Sequence, residues 1–123
     1  MSLSGMYPAV QDAMDDLRRL AQAYGVQYRV TSTYRSTVEQ RRLYAAWIGR
    51  GRTGLPAAAP GTSTHEYGVA FDAVSPDLED LVYLAEQVGF VWAGPRDPVH
   101  FDVFGVDAWR RLLSEAGLRG TGA

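Results

Sequence analysis

The amino-acid sequence predicts an α+β fold, a small antiparallel sheet with helices packed on it. Two observations carry this. Segments with helical spacing of apolar residues alternate with short stretches in which apolar and polar residues alternate. The last two strand-like stretches, 90–92 and 99–104, are separated by only a short turn. A parallel crossover needs a dozen residues or more, so the spacing favours an antiparallel hairpin. With 123 residues, 46% of them apolar, the chain suits one domain spanning 1–123 with its own core.

Residues 8–24 read as a helix. Val10, Met14, Leu17 and Ala21 recur at steps of three and four, Pro8 suits the first turn, and Gly25 suits the position past the end. Val26, Tyr28 and Val30 alternate with Gln27, Arg29 and Thr31, the pattern of a strand with one buried face. Ser36 opens a second helix. Glu39 follows three residues later, which predicts a capping box in which each side chain satisfies a free backbone N–H. Val38, Leu43 and Trp47 are the apolar positions of that helix, and Gly49 ends it. Residues 49–63 form a long loop rich in Gly, Pro and Ala, and loops of that length in compact domains are often functional. A strand follows over 69–74, then a helix over 78–88 with Ser75-Pro76 before it and Gly89 after it. The hairpin turns at Ala93-Gly94-Pro95, and a last helix covers about 106–116. Residues 1–5 and 118–123 read as loose tails.

Composition excludes several functions. Net charge is −2, from 12 basic and 14 acidic residues, which gives no reason to expect a nucleic-acid partner. The absence of cysteine rules out disulfides, thiolate metal ligands and a cysteine nucleophile. No stretch approaches the roughly 18 apolar residues of a membrane span, so no membrane partner is expected. The first residues carry neither the basic nor the apolar region of a signal peptide. The expected state is a monomer.

The chemistry centres on two histidines, His65 and His100. With Asp72 they offer two imidazoles and a carboxylate, leaving a fourth position open, which is the logic of a catalytic zinc site. Asp72 lies seven residues after His65. On a straight helix that is about 10 Å, whereas ligands of one zinc each sit about 2 Å from it. The segment must fold back on itself, and Gly68 is the place for it to turn. His65-Glu66 begins like the zincin motif, but Val69 stands where a second histidine would be, so Glu66 is expected to be a solvated side chain. Ser36 and Ser63 have no histidine partner if both imidazoles bind metal, which argues against a serine triad.

Ser63-x-His65-x-x-Gly68-x-Ala70-x-Asp72 resembles the signature of the zinc D-Ala-D-Ala metallopeptidases, grouped with lysostaphin-type enzymes and the hedgehog signalling domain. Asp97-x-x-His100 is similar to that family's acid-x-x-histidine element. Tyr34-Arg35-Ser36-x-x-x-Gln40 and Gly89-Phe90-x-Trp92 resemble its two other landmarks, in the same order along residues 33–101. The resemblance implies a hedgehog/DD-peptidase-like fold and a zinc ion held by His65, Asp72 and His100. It implies that Asp97 is the general base and that Arg35 steadies the substrate carbonyl and the oxyanion formed from it. It implies that Tyr34, Gln40, Ser63 and Trp92 bind substrate.

The substrate so implied is a peptidoglycan stem peptide, cut at its terminal D-Ala-D-Ala bond or at an internal bond such as L-Ala-D-Glu. The cell wall would be reached by lysis, as by an endolysin, or by a larger exported protein. Many members carry Glu where this chain has the shorter Asp97, and Ala93-Gly94-Pro95 replaces a second glycine and an aromatic. The rival reading is a non-catalytic zinc module that binds wall peptides or a protein partner. Such a module needs the ligands but no base, so Asp97 favours the enzyme.

Overall fold

The structure, a computed structural model, describes residues 3–118; residues 1–2 and 119–123 of the expected tails lie outside the described residues. In chain order come α1 (Pro8–Tyr24), β1 (Arg29–Ser32), α2 (Thr37–Gly49), a 3-10 turn (Thr64–Tyr67), β2 (Ala70–Val74), α3 (Leu78–Gln87), β3 (Val91–Trp92), β4 (His100–Asp102) and α4 (Val106–Glu115). The sheet order is β1-β2-β4-β3, with every neighbouring pair antiparallel. The fold is α+β, as expected, and β3 and β4 form the expected hairpin.

Strand alternation divides the sheet into two faces. Phe71, Ala73 and Phe101 point one way and are fully buried with Phe90 and with Val10, Met14, Leu17 and Ala21 of α1 and Leu81, Leu84 and Ala85 of α3. The Phe71 ring stacks on Phe101 at 5.1 Å and meets Phe90 edge-on at 4.9 Å. The four α1 residues are those the sequence spacing singles out. The helices do not all cover this face. α2 and α4 instead wall a cleft on the other side, over Asp72, His100 and Asp102.

Several expectations change in detail. The first strand begins at Arg29, not at residue 26, because the backbone before it is engaged elsewhere. Val26 N–H closes the α1 cap on Ala21 O, Gln27 N–H donates to Asp77 Oδ2, and Ser75 Oγ donates to Gln27 O. The capping box at Ser36 and Glu39 forms as expected. Yet α2 buries Gln40 and Trp47, while Val38 and Leu43 are exposed, so a polar residue lies on its inward stripe. Residues 3–5 are not a loose lead: Leu3 packs on the core, and Tyr7 N–H donates to Gly68 O at 2.9 Å.

The long loop ends in the 3-10 turn and is pinned from two sides. Glu66 is a clamp and not a solvated side chain: its carboxylate accepts from Gly61 N–H (2.8 Å), Ser63 N–H (3.1 Å) and Thr37 Oγ1 (2.9 Å). From α4, Trp109 Nε1–H donates to Thr62 O at 2.6 Å, and the Trp109 ring lies between Tyr67 and Phe104.

Candidate active site and metal centre

Three local rules bring the predicted ligands together. Antiparallel register sets Asp72 directly opposite His100, so both side chains leave the sheet on its cleft side. His65 arrives from the 3-10 turn that precedes β2. Gly68 reverses the chain between them at φ 70°, in the left-handed region. Only glycine fits: a Cβ there would lie 2.3 Å from the Gly5 carbonyl oxygen.

His65 Nε2 is 3.0 Å from Asp72 Oδ1, His100 Nδ1 is 3.3 Å from the same oxygen, and the three ligand atoms all lie within 4.8 Å of one another. Tetrahedral zinc with bonds of about 2.0–2.1 Å sets its ligand atoms about 3.3 Å apart, so these side chains fit such an ion. The far side of each ring agrees. His65 Nδ1–H donates to Thr33 O at 2.7 Å, which turns the Nε2 lone pair toward the centre. His100 Nε2–H donates to Asp102 Oδ2 at 2.8 Å, with Thr64 Oγ1 3.2 Å away, which leaves Nδ1 to face the centre. Partners of this kind orient ligating imidazoles and raise their basicity.

The electrostatics belong to a coupled cluster. Burial works to raise the Asp72 carboxyl, but hydrogen bonds from His100 and His65 outweigh it and hold the group well below the usual carboxylate range. Burial likewise works to lower His100, but the carboxylates of Asp102 and Asp72 push it up to about 9. Without metal, His100 is therefore an imidazolium at neutral pH, and it must shed a proton to become a ligand.

Asp97 stands in the turn between β3 and β4 and lines the same cleft as Asp72 and His100. Burial raises its carboxyl above the ordinary range, Asp72 adds to this, and His100, His65 and Arg35 oppose it. Its carboxylate has no hydrogen bond or ion pair among the described residues. Arg35 is held by three contacts: Nε–H to Ser32 Oγ (3.1 Å), Nη1–H to Gln40 Oε1 (3.1 Å) and Nη2–H to Asp72 Oδ2 (2.9 Å). A guanidinium has five N–H donors, so two remain for a ligand in the cleft.

The residues expected to touch substrate fare differently. Gln40 lines the cleft beside Arg35, but it is 1% exposed and its amide is engaged by Arg35 and by Ala58 O (2.8 Å), so it braces the arginine. Ser63 lines the cleft, and its hydroxyl accepts from His65 N–H. Tyr34 is exposed beside Gly5 and does not line the cleft. Trp92 also stays outside it; its Nε1–H donates to Pro98 O at 2.9 Å and supports the turn that carries Asp97. Asp102, which the sequence offers only as a fallback base after Asp97, instead holds His100 from outside; the signal is that His100 and Asp102, two apart on a strand, share a face. The Thr33 carbonyl gave no local signal at all.

The cleft measures about 1010 Å³ and runs from the ligand cluster between α2, the long loop and α4. Residues 4–100 match the family model VanY, described as D-alanyl-D-alanine carboxypeptidase. The chain is 29% identical over 113 residues to the peptidoglycan L-alanyl-D-glutamate endopeptidase CwlK of Bacillus subtilis (strain 168), covering 74% of this chain and 66% of CwlK. Among solved structures it resembles the LdcB LD-carboxypeptidase (TM-score 0.68, 20% identity, 93% of this chain and 65% of that one). It also resembles a zinc complex of the vancomycin resistance D,D-pentapeptidase VanY of the VanB-type cassette (TM-score 0.66, 24% identity, 93% and 80%). The chain thus spans just under two thirds of the length of CwlK and of LdcB.

Proposed function

The chain belongs to the VanY family of D-alanyl-D-alanine carboxypeptidases, and from that premise we propose that it is a zinc-dependent peptidase that removes the terminal D-alanine from peptidoglycan stem peptides. The observation that carries this reading is one cleft holding a His65–Asp72–His100 ligand cluster, an unpaired raised carboxyl at Asp97, and an arginine with donors to spare.

A zinc ion held by His65, Asp72 and His100 would supply Lewis-acid chemistry toward water and the scissile carbonyl. The chain's own residues do the rest. Asp97 takes a proton from the attacking water and hands it to the leaving amine; a carboxyl raised by burial holds that proton better between the two transfers. Arg35 directs its free N–H groups at the carbonyl oxygen as negative charge develops there. Its contact with Asp72 fixes the guanidinium before substrate arrives. Asp102 and the Thr33 carbonyl hold the imidazoles in the tautomers that binding requires.

The test is mass spectrometry of purified muropeptides incubated with the zinc-loaded protein and with Asp97→Asn. The parent is expected to shorten pentapeptides by one alanine. The variant is expected to keep its zinc and lose about a hundredfold or more in rate. Release at the L-Ala–D-Glu bond, the bond named for CwlK, would replace the bond assignment. A zinc-replete parent that leaves every muropeptide intact would make the domain a binding module.

A further inference from the structure

The cleft differs in charge from the molecule around it. The whole chain carries −2, yet Arg35, Arg50, Arg96 and Arg110 line the cleft against Asp72, Asp97 and Asp102. Two of those acids are already engaged. Asp72 accepts from Arg35 and lies 3.0 and 3.3 Å from the two imidazoles, and Asp102 accepts from His100 and from the Phe104 and Gly105 amides. Arg35 is paired with Asp72. Arg50, Arg96 and Arg110 form no ion pair among the described residues, and a divalent ion at the three ligands would add two further positive charges. The three arginines come from three separate parts of the chain: the end of α2, the turn beside Asp97, and α4. All three are exposed to solvent, and charges of one sign gathered around a concave site raise the potential met by whatever enters, though water and salt weaken the effect.

We infer that the cleft selects an anionic stem peptide, one whose glutamate keeps its free α-carboxylate, over the same peptide with that carboxylate amidated. The inference rests on the reading of this cleft as the seat of a stem peptide. The remainder of the lining suits such a ligand. Leu43, Trp47 and Leu113 offer apolar surface for methyl and methylene groups, while the arginines meet carboxylates at the rim. A cavity of about 1010 Å³ takes a few residues of peptide. The arginines act through differential affinity and need not touch the reacting atoms, so they set specificity without sharing in bond cleavage.

The experiment compares two synthetic pentapeptides, L-Ala-γ-D-Glu-L-Lys-D-Ala-D-Ala and its counterpart with the glutamate α-carboxylate amidated. Binding to zinc-loaded Asp97→Asn protein is measured by calorimetry at low and at high salt, and cleavage of both by the parent protein is followed in parallel. The free-carboxylate peptide is expected to bind about threefold to fivefold tighter, the scale of one exposed charge pair. Salt is expected to shrink that advantage. Among Arg50→Gln, Arg96→Gln and Arg110→Gln, at least one is expected to abolish it while leaving affinity for the amidated peptide unchanged. Equal affinities, or a preference that survives all three substitutions, would overturn the inference. Cleavage by the parent decides the other matter: equal binding with normal cleavage sinks the charge selection alone. Arginine-dependent selection without cleavage sinks the peptidase reading and leaves the selection standing.

Discussion

Replacing Gly68 by alanine would strike the turn on which the ligand cluster depends. Gly68 sits at φ 70°, and a Cβ there would lie 2.3 Å from Gly5 O, 3.0 Å from Tyr7 N and 3.1 Å from Met6 Cα. All three are backbone atoms, so none can rotate out of the way. The left-handed conformation costs an L-residue roughly 1–2 kcal/mol. Forcing the 5–7 segment outward costs about 1–3 kcal/mol more, by analogy with overpacked cores. Losing the Tyr7 N–H to Gly68 O bond adds about 0.5–1.5 kcal/mol. The sum is about 3–6 kcal/mol, a large part of the roughly 5–15 kcal/mol that holds a typical domain folded. Urea titration should show the midpoint falling at constant slope, and the melting temperature should drop by about 10–20 °C. Because the turn also aims His65, zinc affinity should fall with it. Gly25→Ala is the control: φ is 69° but nothing lies within 4 Å of the added Cβ, so only the backbone cost of about 1–2 kcal/mol applies. A Gly68→Ala protein no less stable than the Gly25→Ala control, with parental zinc affinity, would refute the reasoning.

Other expected outcomes follow from the same cluster. His100 rises from 6.5 to about 9 in the metal-free protein and must lose its proton to bind metal, so apparent zinc affinity should climb about tenfold per pH unit toward pH 9 and then level off. Chelator competition across pH would show this, and a flat profile would refute it. The same raised group stabilises the metal-free fold fully below pH 6.5, and that contribution is lost as pH rises through about 9, which urea titration of stripped protein should detect. Asp102→Ala should cost 10–100-fold in zinc affinity, read by competition with a chelator, because His100 loses the carboxylate that orients it. Gln40→Leu should leave Arg35 and Ala58 O short of a partner and cost about 2–4 kcal/mol in urea titration. In stem-peptide assays of that variant kcat should fall more than KM, since Arg35 would be misaimed.

Much of the site was readable because each signal was local. The α1 stripe, the Ser36–Glu39 box and the short turn before His100 each depend on residues within a few positions of one another. Gly68 was legible as a turn because two ligands seven residues apart demanded one. What escaped depends on distant partners. Thr33 O serves His65 from 32 residues away, and Trp109 reaches Thr62 across 47. Glu66 looked solvated because the failed zincin pattern said only what it was not; its actual partners are the amides of Gly61 and Ser63 and the Thr37 hydroxyl. Tyr34 and Trp92 flank the site in sequence, but the fold turns both away from the cleft: Tyr34 lies against Gly5, and Trp92 supports the Asp97 turn. Periodicity cannot reveal that Gln40 would displace Val38 and Leu43 from the inward face of α2, because the burial of its amide depends on Arg35 and Ala58.

The fastening of α4 by Trp109 has a consequence for how such a domain can be altered. The three side chains that could hold a metal, the base proposed at Asp97 and the arginine beside them lie within residues 4–100, the region matched by the family model. One wall of the cleft is a helix beginning at Val106, after that region has ended. That wall is tied to the long loop by the indole hydrogen bond to Thr62, with the indole ring packed on both Tyr67 and Phe104. Part of the lining that governs admission is thus carried on a stretch of chain beyond the matched region, tied back to it at Trp109. A different helix that kept the indole at its fourth position could be exchanged for this one, changing what enters while leaving the reacting groups where they are.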